Sequence, residues 1–260
     1  MATVTDPVGT DLSKILKTLK LSGLKDTLPE RLVLARQTQM GHAAFLELLL
    51  ADEVTRRNTR SATLRAAKAG LDPAMRLEHW DDLPDLRYDR TLWSDLTTLR
   101  FTENGTGALI LGPVGVGKTH LATALGHIAI RRRHSVLYAR ADKLFTRLRA
   151  ARLDNTLEAE LRRLTNVEML IIDDFALRPL DATQTNDLYE LVVERHRKHP
   201  TIWVSNREPA EWLTMTTDAL LAQSAVDRLT SNAHTLIVEG PSYRQRHKTR
   251  VLDLNPGDKS

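Results

Sequence analysis

Residues 112–119 read Gly112-Pro113-Val114-Gly115-Val116-Gly117-Lys118-Thr119, a glycine-rich run closed by a lysine and a threonine. Glycines at this spacing let backbone N–H groups turn inward around phosphate oxygens. The lysine then supplies a cation to the outer phosphates, and the threonine hydroxyl ligates Mg2+. A helical pattern starts directly after the loop, and its N-terminus adds a partial positive charge. Residues 112–120, through His120, are the expected nucleotide-binding set, with ATP and Mg2+ as cofactors.

Two further runs end in polar groups. Residues 169–172 are apolar and lead into Asp173 and Asp174. Asp173 suits Mg2+, directly or through water, and Asp174 is placed to polarise an attacking water. Adjacent acids after an apolar run also occur as helix N-caps. Residues 201–205 lead into Asn206, which could bond the attacking water or the γ-phosphate, although an Asn there is also an ordinary turn residue. Arg228 could reach the γ-phosphate of a neighbouring subunit, and Arg244 that of its own chain. A surface salt bridge is the plainer role for either.

These groups need a scaffold that brings them together. Short apolar runs at 108–111, 136–139, 169–172, 202–204 and 235–238 alternate with helical patterns. The first four are separated by segments long enough for crossover helices, which predicts parallel strands in a doubly wound α/β sheet. Such sheets bind ligands beyond the carboxyl ends of their strands, where each of these motifs falls. Residues 1–70 read as all-helical. Leu12, Ile15, Leu16 and Leu19 form one apolar stripe ended by Gly23, and Thr27 with Pro29 opens a second helix to about Gln39. A third helix is expected over 43–58 and a fourth over 61–70. Residues 71–100 read as an acidic linker and a lead-in helix, 101–250 as the nucleotide-binding domain and 251–260 as a tail.

The 260-residue chain has no cysteine, which excludes disulfides and thiolate metal sites. No apolar stretch is long enough for a membrane span, and the N-terminus lacks the apolar core of a secretory signal, so a cytoplasmic location is expected. Net charge is only +4, but its distribution is uneven. Arg56, Arg57, Arg60, Arg65 and Lys68 form one basic stretch without an acid. A second runs over 131–152 and includes Arg140, Lys143 and Arg147. Clustered cations suit the phosphates of DNA, and they equally suit a solvated helix face.

The segments GKTHLATALG, IIDDF, SNREPAEW, AVDRL and EGPSYRQR, in that order, resemble the IstB/DnaC-like AAA+ ATPases, and FLELLLADEVTRRN resembles the N-terminal part of IstB proteins in particular. The resemblance implies an AAA+ P-loop NTPase domain preceded by a small helical domain that binds DNA or a partner. It places Lys118 and Thr119 in Walker A, Asp173 and Asp174 in Walker B, Asn206 at sensor 1, Arg228 at the arginine finger and Arg244 at sensor 2. It also implies ATP hydrolysis stimulated by DNA and by oligomerisation, and slow because Asp174 stands where the AAA+ base is usually Glu. The expected partners are duplex DNA, further copies of the chain and the transposase of an insertion sequence. A replicative helicase loader of the DnaC type shares almost every one of these residues. A helical insertion over 142–165, with Leu144, Phe145, Leu148 and Ala151 on one stripe, is expected to present Lys143 and Arg147 to DNA.

Overall fold

In this computed structural model, residues 8–243 are described, and the chain divides into two compact units between Leu64 and Arg65. The first unit holds α1 (Thr10–Thr18), α2 (Leu24–Gln37) and most of α3 (His42–Ala69). Its core is small: Val8, Leu16, Leu24, Leu28 and Leu49. Of the expected α1 stripe only Leu16 is buried, while Leu12, Ile15 and Leu19 remain exposed. The helix also stops well before Gly23. Lys20 adopts a left-handed φ of 57°, and the Leu21 N–H donates to the Leu16 carbonyl at 2.7 Å, closing the end without glycine. Gly23 instead precedes α2, where a Cβ would lie 2.1 Å from the Arg56 Nε.

The third and fourth helices expected over 43–58 and 61–70 are one continuous helix, α3. No Gly or Pro interrupts His42 to Ala69, and Asn58 and Ser61 each cost a helix well under about 1 kcal/mol, too little to break it. It ends where a breaker does occur, at Gly70 with φ 80°, and Leu71 N–H caps the Ala66 carbonyl.

The second unit is built on a five-stranded sheet, β1 (Gly107–Leu111), β2 (Val136–Arg140), β3 (Met169–Phe175), β4 (Thr201–Ser205) and β5 (Ala233–Ile237). The order is β2-β3-β4-β1-β5, and every neighbouring pair is parallel, the fifth strand included. Alternate residues face opposite sides. Leu109, Leu111, Leu170, Ile172 and Trp203 pack in one cluster with residues of α6 (Ala141–Leu153), α7 (Leu157–Asn166), α8 (Ala182–Arg195) and α10 (Ala219–Ser231). The other side takes α5 (Lys118–Arg131), whose Gly126 lies so close that a Cβ would sit 2.9 Å from Ile171 Cδ1. With both faces covered, β1 and β4 are buried along their whole length. The expected insertion is α6 and α7, and its stripe of Leu144, Phe145, Leu148 and Ala151 is buried as predicted. α4 (Arg90–Thr97) is the lead-in helix, and the short α9 (Pro209–Trp212) follows β4.

Candidate nucleotide site

The glycine loop runs from the end of β1 into α5. Gly112, Gly115 and Gly117 all have positive φ, at 141°, 89° and 99°. At Gly112 the requirement is steric as well, because a Cβ would lie 2.0 Å from the Val238 carbonyl. Lys118 is only 6% exposed. Its ammonium donates to the carbonyls of Gly112 (2.7 Å) and Pro113 (2.6 Å) and to Asn206 Oδ1 (2.6 Å). The parallel pairing of β1 with β4 brings Asn206 to the loop, 88 residues away in sequence.

The paired acids are separated by a bulge. Between Ile172 and Phe175 the β3–β4 register gains one residue, and Asp174 takes a φ of 53°. In a regular strand Asp174 would face away from Asp173; the bulge turns it into the same crevice. Burial first, and then the neighbouring Asp173 charge, push the Asp174 carboxyl above its ordinary value. Asp173 is 2% exposed, and its oxygens accept the Asp174 N–H at 2.8 Å and the Tyr138 hydroxyl at 2.7 Å. Burial, reinforced by this bond to Asp173, raises the phenol's own pKa, so it stays a donor.

Lys118, Thr119, Asp173, Asp174 and Asn206 share one cavity of about 460 Å³, and His120, Val114, Gly115 and Gly117 line it too. Among the described residues no group of three or more His, Cys, Asp or Glu side chains could hold a metal alone. One hydroxyl and one carboxylate, Thr119 and Asp173, fit Mg2+, which keeps several waters and takes other oxygens from substrate phosphates.

Sequence reasoning missed several residues of this cavity. Met75, His79, Trp80 and Asp81 line it, as does Tyr243; the stretch expected to be a linker belongs to the same compact unit as the sheet. Trp80 stands over the loop: a Cβ on Gly117 would lie 2.6 Å from its ring, and its centroid is 5.2 Å from that of His120. A tryptophan in an acidic stretch was the signal the sequence offered for Trp80. Arg140, grouped in the sequence with the DNA-facing cations, also lines the cavity. Its Nε lies 3.5 Å from Asp174 Oδ2 and 3.3 Å from Asp142 Oδ1.

Arg228 is elsewhere. It lines a small hollow with Gly105, Gly107, Thr201 and Asn232, all at or just before the amino ends of β1, β4 and β5. Five residues of strand span roughly 16 Å, so its own nucleotide cavity is at the far end of the sheet. Its Nη1 donates to the Ser224 carbonyl at 2.9 Å, and its guanidinium carbon lies 5.8 Å from the Tyr189 ring centroid. Arg244 lies outside the described residues.

The other basic candidates divide. Arg56 and Arg57 both clasp Glu53, each with a 2.7 Å Nε contact, and Arg57 also donates to the Lys20 carbonyl. Arg147 pairs with Glu160 at 2.8 Å. Arg65 is half-buried, whereas Arg60, Lys68 and Lys143 are exposed and form no side-chain ion pair among the described residues.

The strand–loop–helix cradle, the paired acids after β3 and Asn206 after β4, on this sheet order, define a P-loop nucleotide-binding protein of the AAA+ class. AMPPCP-bound DnaA from Aquifex aeolicus has a similar fold, with a TM-score of 0.56 at 21% identity over 73% of this chain and 58% of DnaA. More narrowly, the chain belongs to the IstB-like ATP-binding protein family, whose sequence profile matches residues 14–251. It is 37% identical to a protein of Mycobacterium tuberculosis described as an ATP-binding protein in an insertion sequence, over 91% of this chain and 95% of that relative. It is 33% identical to the insertion sequence IS21 ATP-binding protein of Pseudomonas aeruginosa, over 94% and 93%. No helix among the described residues is long and apolar enough to cross a membrane.

Proposed function

We propose that this protein hydrolyses ATP with Mg2+, assembles with further copies of itself on duplex DNA in the cytoplasm, and so helps the transposase of its insertion sequence to take up target DNA. Lys118 and the loop N–H groups bind the phosphates, while Thr119 and Asp173 would hold the metal. When bound, Mg2+ neutralises charge on the β- and γ-phosphates. Asp174 orients and deprotonates the attacking water, and Asn206 positions it. Asp174 is one methylene shorter than Glu, which accords with slow turnover. The match in sequence to an insertion-sequence family favours transposition; the likeness to helicase loaders is one of fold.

The position of Arg228 carries the assembly reading. An arginine at the opposite end of the sheet is out of reach of its own γ-phosphate, yet available to a neighbour's. A γ-phosphate held by two chains makes assembly depend on ATP, and hydrolysis then loosens the interface. Arg228→Ala should keep ATP binding and lose hydrolysis by roughly 10³–10⁵-fold, the worth of a finger in phosphoryl transfer. Asp174→Asn should be similarly inactive. Mixed on DNA, the two variants should recover part of the ATPase rate, because some interfaces join an intact Asp174 to an intact Arg228. No recovery at any ratio, with mixed oligomers verified by crosslinking, removes the trans role of Arg228.

A further inference from the structure

Asp173 is a buried carboxylate with a donor on each oxygen. The Asp174 N–H holds Oδ1, and the Tyr138 hydroxyl holds Oδ2 at 2.7 Å. The strands explain the meeting. Across parallel β2 and β3, Tyr138 is level with Ile171 and Arg140 with Asp173. Residues two apart share a face, so Tyr138 lies one pleat below Asp173 on the side that α5 covers. An ionised carboxylate offers about four lone-pair positions, and these two bonds use two of them. The remaining pair is left for a metal ion or its waters. A carboxylate with one fixed donor can still rotate about its Cβ–Cγ bond; a donor on each oxygen stops that rotation.

We propose that Tyr138 is a positioning residue for magnesium, fixing the Asp173 carboxylate in its ligating orientation before Mg2+–nucleotide arrives. The proposal rests on the reading of Asp173 as the residue that holds the metal. Partners that orient a metal-ligating group typically matter about 10- to 100-fold in metal affinity or activity when removed. A tyrosine that merely fills space would alter stability and leave the metal dependence alone.

The test is a fluorescent ATP-analogue titration, first in EDTA and then across a Mg2+ series, on the full chain. Tyr138→Phe removes one oxygen atom. It should bind nucleotide in EDTA like the parent, but need roughly 10-fold or more extra Mg2+ for the metal-dependent gain in affinity. Saturating Mg2+ should restore that gain. Asp173→Asn should show a larger shift, and adding Tyr138→Phe to it should change nothing further, because the tyrosine acts only through the carboxylate. An unchanged Mg2+ requirement in Tyr138→Phe beside a shifted one in Asp173→Asn overturns the role of Tyr138 alone. Additive effects in the double variant overturn it too. An unshifted Asp173→Asn overturns the metal reading of Asp173, and this proposal with it. Melting in EDTA guards the fold: a midpoint lowered by more than the loss of one hydrogen bond explains, with the Mg2+ requirement unchanged, marks the tyrosine as structural and overturns the proposal.

Discussion

The two units of this chain are held together in different ways. In the sheet unit, strands buried on both faces carry the structure, and Lys118, Asp173, Asp174 and Asn206 meet at the strand ends around one cavity. The helical unit has only a handful of buried apolar side chains and leaves Leu46, Leu50 and Val54 of α3 exposed at helical spacing. A polar network makes up part of the difference. Arg31 clasps Asp52 in two contacts of 2.7 and 3.2 Å, and Glu53, 3% exposed, receives both Arg56 and Arg57. The bond from Arg56 above all draws the Glu53 carboxyl from its ordinary 4.5 down to about 2, against the opposing effect of burial. In both units arginines that look like phosphate ligands in the sequence neutralise the chain's own acids, Arg56 and Arg57 at Glu53 and Arg147 at Glu160, but only in the helical unit does this stand beside so small a core.

Lys118→Ala gives the largest effect that should stay within one unit. It removes two or three charge-assisted bonds at about 1.5–3 kcal/mol each, so nucleotide affinity should fall at least roughly 100-fold. Hydrogen exchange in residues 10–57 should not change. Affinity close to that of the parent would end the phosphate role of the loop.

Glu53→Gln tests the other side of the comparison. At neutral pH it should raise amide exchange in α2 and the first half of α3 by roughly tenfold, the worth of one charge-assisted hydrogen bond. The sign with pH follows from a carboxyl whose folded-state pKa is depressed. Its contribution is complete above 4.5 and is lost as pH falls toward about 2, so parent and variant should converge there. Equal exchange in both proteins at neutral pH would show that the network does not support the unit.

The smallest effects concern DNA. Charge reversal at Arg60, Lys68 or Lys143, which form no side-chain ion pair among the described residues, should each reduce the slope of log affinity against log salt by about 0.9, one phosphate contact, uniformly across sequences. Arg147→Glu should change it less, because Glu160 already holds that guanidinium. Equal losses at all four positions would break the distinction between paired and unpaired cations.

What the sequence determined by itself was local and lay mainly in the sheet unit; the end of α1 and the unbroken run of α3 are local too, and the sequence misplaced both. The glycine loop, the acids after 169–172 and Asn206 after 201–205 each sit within a few residues of the strand that aims them, so motif and position were legible together. The helical insertion and its buried stripe were legible for the same reason, as one period on one helix. The tertiary structure decided what depends on partners distant in the chain. Arg56 and Arg57 stand three and four residues from Glu53 on one helix, so that pairing was open to the sequence and only the burial of Glu53 was not; nothing in 131–152 shows that Arg140 would reach Asp174. Trp80 came to the nucleotide cavity only when its stretch of chain packed against the loop, and Tyr138 met Asp173 only when β2 paired with β3 in one register. The physical reason is the range of the interactions. Backbone conformation and side-chain periodicity are properties of neighbours in sequence, whereas a charge finds its counter-ion, and a carboxylate its donor, through packing that the whole fold sets.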